Sequence, residues 1–231
     1  MKQRKRVKKI LRLFDETQVQ SFLAAITVPH HKLITKLIFA TGLRLCELIG
    51  SERQICAYCR EYSDHYCDSQ KKKIDPRQKP CDKYNDVFPG LKVEDIDFSR
   101  RLIKVMGKGR KEREVAVDST ILTFQELANY LKEQAISTGR IFNLSQQAVR
   151  KQWREAARKA GLPQLDQQGR WSPHAGRHTA LTFLQERGRD IVATMQQAGH
   201  ERIDTTVRTY LHPRAESRVK LYDEIAKKEE K

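Results

Sequence analysis

Four separated stretches carry side chains suited to binding and attacking an anionic centre. The first is Ala40-Thr41-Gly42-Leu43-Arg44-Leu45-Cys46-Glu47-Leu48, an apolar helix end that presents one guanidinium and one carboxylate. Taken alone, Arg44 is an ordinary surface or salt-bridge residue, with Glu47 as its partner. The second, Gly107-Lys108-Gly109-Arg110-Lys111, places three cations beside two glycines at the tip of an expected hairpin, where the missing Cβ atoms let the backbone approach a ligand closely. It lacks the spacing of a nucleotide-binding P-loop, and by itself it reads as a solvated basic turn. The third, Trp171-Ser172-Pro173-His174-Ala175-Gly176-Arg177-His178, reads as a helix start, with Ser172 as N-cap and Pro173 at the first helical position. His174 and Arg177 then share a face of the first turn, where free N–H groups and the positive end of the helix dipole favour a phosphate. His178, one turn on, is expected to be a buried packing or hydrogen-bonding residue without a proton-transfer role. The fourth joins Ala198-Gly199-His200 to a helix running through Tyr210, which shares a face with Ile203 and Val207. A lone tyrosine on such a stripe is ordinarily a core aromatic.

The elements that must position these groups are legible in the pattern. Asp15-Glu16-Thr17 leads into Val19, Phe22, Leu23 and Ile26 at helical spacing, and a second helix is expected from Pro29 to Leu43. Leu91 to Ile96, Leu102 to Met106 and Arg113 to Val117 are short strand candidates, most simply one three-stranded antiparallel sheet. From Ser119 onward the pattern is helical, with breaks at Ser137 to Gly139, Gly161 to Gly169, Gly188 and Gly199. The expected class is therefore α+β and mainly α-helical. A chain of 231 residues can bury a proper core without disulfides.

Charge narrows the partners. Lys and Arg number 45 against 29 Asp and Glu, a formal net charge of +16, which favours a polyanion. Leu33 to Leu43 is too short, and interrupted by Lys36, to span a bilayer, and the basic start has no apolar stretch behind it to make a secretory signal. No membrane role is expected, and a cytoplasmic location follows.

Residues 53–86 break the pattern. Cys56-Ala57-Tyr58-Cys59 is a tight knuckle, and Cys67 and Cys81 supply two more thiols, with His65 as a possible substitute. One structural Zn²⁺ fits the ligand count, although a second tight knuckle is missing. Unligated thiols and disulfides remain the alternatives. The stretch reads as an insertion, with Lys71 to Lys73 available to touch a polyanion. Cys46 is expected in the core.

Together the four stretches resemble the catalytic domain of the tyrosine recombinases, the phage-integrase type. Members carry an arginine in an ATGLR-x-x-EL helix, a lysine in a β-hairpin turn, His-x-x-Arg-His, Gly-His and a nucleophilic tyrosine. The resemblance runs from about Asp15 to Pro213 apart from the cysteine-rich insertion. It implies a catalytic set of Arg44, Lys108, His174, Arg177, His200 and Tyr210, double-stranded DNA as partner, and a homo-oligomer, a tetramer on DNA, placing the protein at the nucleoid. It also implies that the chemistry needs no metal: two arginines hold the phosphate while the tyrosine forms a 3′-phosphotyrosine. Type IB topoisomerase-like DNA relaxation and a catalytically silent DNA-binding regulator are the alternatives.

The implied organisation is a basic arm at 1–12, a catalytic domain at 13–214 interrupted by the insertion, and a tail or docking helix at 215–231. Most members carry a further N-terminal helical domain; this sequence starts with a basic arm close to the catalytic domain, as either a minimal member or a piece of a longer one would. Two departures are visible. Gly176 occupies a position commonly apolar, where Gly in a helix costs about 1 kcal/mol. His200 and Tyr210 are ten apart, 210 − 200, one more than in many members.

Overall fold

The computed structural model of the chain describes residues 13–51, 65–67, 72–74, 88–107, 111–163, 171–188 and 190–200. Helix α1 (Glu16–Ala24) begins with a reciprocal cap: the Asp15 carboxylate accepts from Gln18 N at 2.7 Å, and Gln18 Oε1 accepts from Asp15 N at 3.1 Å. It turns Val19 and Phe22 inward. Helix α2 (Pro29–Thr41) is apolar over most of its circumference, and its contact with a long later helix explains why. Gly42, at φ +67°, stops it, so it ends two residues short of the expected Leu43. Any side chain at Gly42 would meet both that left-handed backbone and Leu181, 2.9 Å from where a Cβ would sit. Arg44 is extended and starts a new short helix, α3 (Leu45–Ile49). It therefore stands between two helices and not within one.

Strands β1 (His65–Cys67) and β2 (Lys72–Ile74) form a small antiparallel pair within 53–86; the rest of that stretch lies outside the described residues. Ser51 and Phe88 pair as an antiparallel bridge, with Ser51 N donating to Phe88 O at 3.0 Å. The chain thus leaves and re-enters the domain at one point, and the fold can carry an insertion there.

The three-stranded antiparallel sheet is β3 (Ile96–Asp97), β4 (Leu102–Met106) and β5 (Glu112–Ala116). Ile103, Val105 and Val115 are its buried residues from β4 and β5. The first strand is much shorter than the expected Leu91 to Ile96, because the backbone before it is committed elsewhere. Leu91 N donates to Leu48 O at 2.8 Å, Leu91 O accepts from Ile141 N at 3.0 Å, and Val93–Asp95 forms a 3-10 turn.

Four helices complete the described fold: α4 (Phe124–Glu133), α5 (Gln146–Lys159), α6 (Pro173–Gly188) and α7 (Ile191–Ala198). Thr123, Ser145 and Asp190 cap α4, α5 and α7 through their side chains. At the centre, Trp153 of α5 lies against Phe22 and Phe39, while Phe14 packs edge-on to Phe22 and Phe39 and 4.4 Å from the Trp171 ring. Among the described residues no helix is long and apolar enough to cross a membrane.

That aromatic centre explains Gly176. A Cβ there would fall inside the Trp153 ring's contact surface and lie 3.2 Å from Ile38 Cγ2. Close approach of α5 and α2 to α6 demands the missing side chain, and overpacking costs typically 1–3 kcal/mol, more than the helix propensity alanine would gain. Gly176→Ala is therefore expected to lower the denaturation midpoint; a midpoint equal to wild type or higher would remove this explanation.

Candidate functional site

Arg177 lies in the first turns of α6 and is buried, with 2% of its surface exposed. Its Nη1 donates to Gly42 O, and its Nη2 donates to Ala198 O at 2.7 Å. One of those carbonyls precedes Arg44 by two residues and the other precedes His200 by two. A single guanidinium thus fastens the end of α2 to the end of α7, and three segments remote in sequence meet around it.

Gln197 makes a parallel tie. Its amide donates to Thr41 O and Ala116 O, each at 2.8 Å, and accepts from Ala116 N at 3.0 Å, which docks α7 on β5. Gly199 then turns the chain with φ +64°, and a Cβ there would lie 2.9 Å from the Arg113 guanidinium. Glycine at this Gly-His step is required by the backbone and by the neighbouring arginine alike.

Glu47 is the anionic centre of this arrangement. Its side chain has no exposed surface, and it accepts from Arg44 N at 2.8 Å and Arg44 Nη1 at 3.0 Å. On its other side Arg113 of β5 binds both carboxylate oxygens, at 2.9 and 3.0 Å, and also donates from Nε to Gln197 O at 3.3 Å. Burial alone would push the Glu47 pKa up, but the hydrogen bonds and charge of Arg113, with help from Arg44, outweigh it and hold the carboxyl below its ordinary value. Arg113 was absent from the sequence-derived site. The signal was nevertheless present: on a strand it alternates onto the same face as buried Val115, and an inward-facing arginine requires a buried carboxylate.

His174, at the start of α6, keeps one side exposed, while the inner side of its ring is shielded from water by His178 beneath it. Their Nε2 atoms are 2.9 Å apart, with the rings perpendicular. The His174 pKa is lowered by burial and by the charges of Arg177 and Arg44. His178 is pushed down to about 4 by burial, then by His174, Arg177 and His200. His200 is also pushed to about 4, by burial and then by Arg177, Arg44 and Arg113. All three rings are accordingly uncharged near neutrality. The arginines supply the fixed positive charge.

The structure brings Arg44, His174, Arg177 and His200 together, with Glu47, Arg113 and Gln197 as their support. Lys108 and Tyr210 lie outside the described residues; on the near side of Lys108, Gly107 N donates to Lys111 O at 2.8 Å. Cys56, Cys59 and Cys81 also lie outside, as does the side chain of Cys67. Among the described residues no three His, Cys, Asp or Glu side chains are grouped to hold a metal. Cys46, expected in the core, is only half-buried, and burial followed by the Glu47 charge raises its thiol pKa to about 11.

A mainly helical domain with a small antiparallel sheet gathers two arginines and two histidines at the ends of its elements, a cluster whose fixed positive charge suits a phosphate. The model of the phage integrase family matches residues 88–217, more than half of the 231, and the chain belongs to that family. It is 29% identical over 232 residues to tyrosine recombinase XerD of Staphylococcus saprophyticus, covering 93% of this chain and 63% of that protein. A crystal structure of XerA recombinase superposes with a TM-score of 0.64 at 21% identity, covering 96% of this chain and 66% of that one. XerH site-specific recombinase, solved bound to its difH substrate in a pre-cleavage complex, superposes with a TM-score of 0.59 at 20% identity, over 94% of this chain and 54% of that one. The chain spans under two thirds of the length of each of these relatives.

Proposed function

We propose that the chain is the catalytic part of a site-specific DNA recombinase that cleaves and rejoins strands through a 3′-phosphotyrosine at Tyr210. The observation that carries this reading is that Arg177 bonds Gly42 O and Ala198 O, two residues before Arg44 and His200, while the charges of Arg177 and Arg44 act on both His174 and His200. An attacked phosphodiester concentrates negative charge on its non-bridging oxygens, and two guanidiniums meet that charge in a fixed geometry at any physiological pH. They supply what a divalent ion supplies in other nucleases, so no cofactor is assigned to cleavage.

In this reading the Tyr210 phenol oxygen attacks phosphorus and the 5′-oxygen leaves. Holding the phenol ionised at pH 7 would cost roughly 4 kcal/mol unaided, so His174 takes its proton as the bond forms. Lys108 protonates the departing 5′-oxygen, and His200 donates a hydrogen bond to the phosphate. Because the ester stores the cleaved bond, a second 5′-hydroxyl can reverse the step without an energy source. Double-stranded DNA is the partner, and exchange between duplexes calls for a homo-oligomer, taken as a tetramer. Support for DNA comes from the net charge of +16. It also comes from Arg150, Lys151 and Arg154, which line an open groove beside Ser172 and Pro173 at the start of α6. The organisation is taken as a catalytic domain at 13–214 flanked by a basic arm at 1–12 and a C-terminal tail or docking helix at 215–231. Within it, 53–86 holds one structural Zn²⁺ through Cys56, Cys59, Cys67 and Cys81, to be checked as one zinc per chain by elemental analysis.

The test is incubation with nicked duplex DNA of randomised sequence, without added divalent metal, followed by denaturation and peptide mapping. A covalent adduct joining a DNA 3′-phosphate to Tyr210 is expected. No adduct across the pool, or attachment at another residue, would overturn the reading. Relaxation of supercoils without exchange between duplexes would replace recombination with topoisomerase action.

A further inference from the structure

The histidine pair on α6 contains a group that the mechanism above leaves unused. His178 is buried, 7% exposed, and its Nε2 stands 2.9 Å from Nε2 of His174. Two imidazole nitrogens at that distance hold one hydrogen between them: one ring donates and the other accepts. Two consequences follow from geometry alone. Nε2 of His174 is occupied by His178, so Nδ1 is the nitrogen that ring can offer to a reacting group. And Nδ1 can accept a proton only when the hydrogen of neutral His174 sits on Nε2, which requires His178 to be the acceptor of the shared hydrogen.

We infer that His178 is a positioning residue for the proposed cleavage reaction, a hydrogen-bond acceptor that holds His174 in the Nε2–H tautomer and makes Nδ1 the base for the attacking phenol. The inference rests on the function proposed above and deepens it. The step balances simply. The phenol proton moves to His174 Nδ1, the phenol oxygen's electron pair forms the bond to phosphorus, and the resulting imidazolium keeps its Nε2 hydrogen directed at His178. The arrangement does what a buried carboxylate does behind a catalytic histidine elsewhere, but with a neutral acceptor. A carboxylate in this place would face Arg177, Arg44 and His200, the other groups around the pair, and its charge would oppose the grip of the arginines on the phosphate. The 16-residue helix fixes the alignment, since residues four apart on α6 stack on one face.

Two measurements test this. In the free protein labelled with ¹⁵N-histidine, long-range ¹⁵N–¹H correlation spectra near pH 7 should show His174 protonated on Nε2 and His178 on Nδ1. The reverse pattern would overturn the assignment, and this reading needs no active variant beyond those used to identify the signals. In single-turnover capture of nicked DNA at saturating concentration, His178→Leu should slow adduct formation at least 10-fold with DNA affinity unchanged. His178→Gln, which retains an acceptor oxygen, should recover part of the rate. In a His174→Ala background neither change should slow the reaction further. An equal loss with and without His174 would make His178 a structural residue and sink the inference. If the wild-type chain captured no DNA at all, the parent reading would fail instead, and the tautomer spectra would still report on the pair.

Discussion

Arg177→Lys is expected to slow covalent capture of nicked DNA by roughly 10²- to 10³-fold, the range found when one preorganised donor to a developing oxyanion is removed. The substitution keeps the charge and loses the planar fork. A guanidinium carries five N–H donors in a fixed plane, so one group can be anchored by backbone carbonyls and still face a phosphate. Lysine has three donors on a flexible stem and cannot hold Gly42 O and Ala198 O in the same geometry. Arg177→Ala removes the charge as well and strands two carbonyls in a site where the side chain was 2% exposed. Each buried acceptor left without a partner costs about 1–3 kcal/mol, so this variant should lose stability together with activity. Single-turnover rates and denaturation midpoints for both variants separate the two effects. A lysine variant within about threefold of wild type would refute a bidentate phosphate clamp at this position.

Glu47→Gln has the largest expected effect on stability. The carboxylate has no exposed surface and pairs with Arg113, whose side chain is 14% exposed, and with Arg44, at 32%. Breaking a buried pair by removing one partner typically costs 3–5 kcal/mol. The partial exposure of both arginines places the expectation at the lower end, about 3 kcal/mol, or roughly 6–12 °C in melting temperature for a domain of this size. Adduct formation should fall as well, because Arg44 loses the partner that orients it. The pH dependence has a definite sign. The folded pKa of Glu47 lies below 4.5, so its contribution is complete above that value and is lost as pH falls through the folded pKa. The stability gap between wild type and Glu47→Gln should therefore be constant near neutrality and close on acidification. Because the histidines are common to both proteins, their own titration cancels from the difference. A gap independent of pH down to strong acid would show that the charge of Glu47 is not what holds the three segments.

Much of this could be read from the residues themselves. Ser172-Pro173 announced the start of α6, Gly199 the end of α7, and Leu102 to Met106 a strand with those bounds, because caps, breakers and short apolar alternation act over three or four residues. The Pro29 helix was legible except for its end, where Gly42 acts earlier than the apolar run suggested. The strand expected at Leu91 to Ile96 failed for a different reason. Its side chains alternate suitably, but its backbone groups bond to Leu48 and Ile141, and no local pattern records where a hydrogen bond goes.

The division between the two levels follows the range of the forces. Residue types and local spacing determined which side chains carry charge or a lone pair, and which turn of which helix presents them: the arginine after Gly42, the histidine and arginine three apart after Pro173, the histidine after Gly199. Tertiary structure alone decided that these meet. Arg177 reaches two carbonyls, one of them 135 positions away, and Glu47 takes Arg113 across 66. Such partners are selected by burial. A guanidinium or carboxylate withdrawn from water must find its complement wherever the packed helices place it, and that place depends on the whole fold.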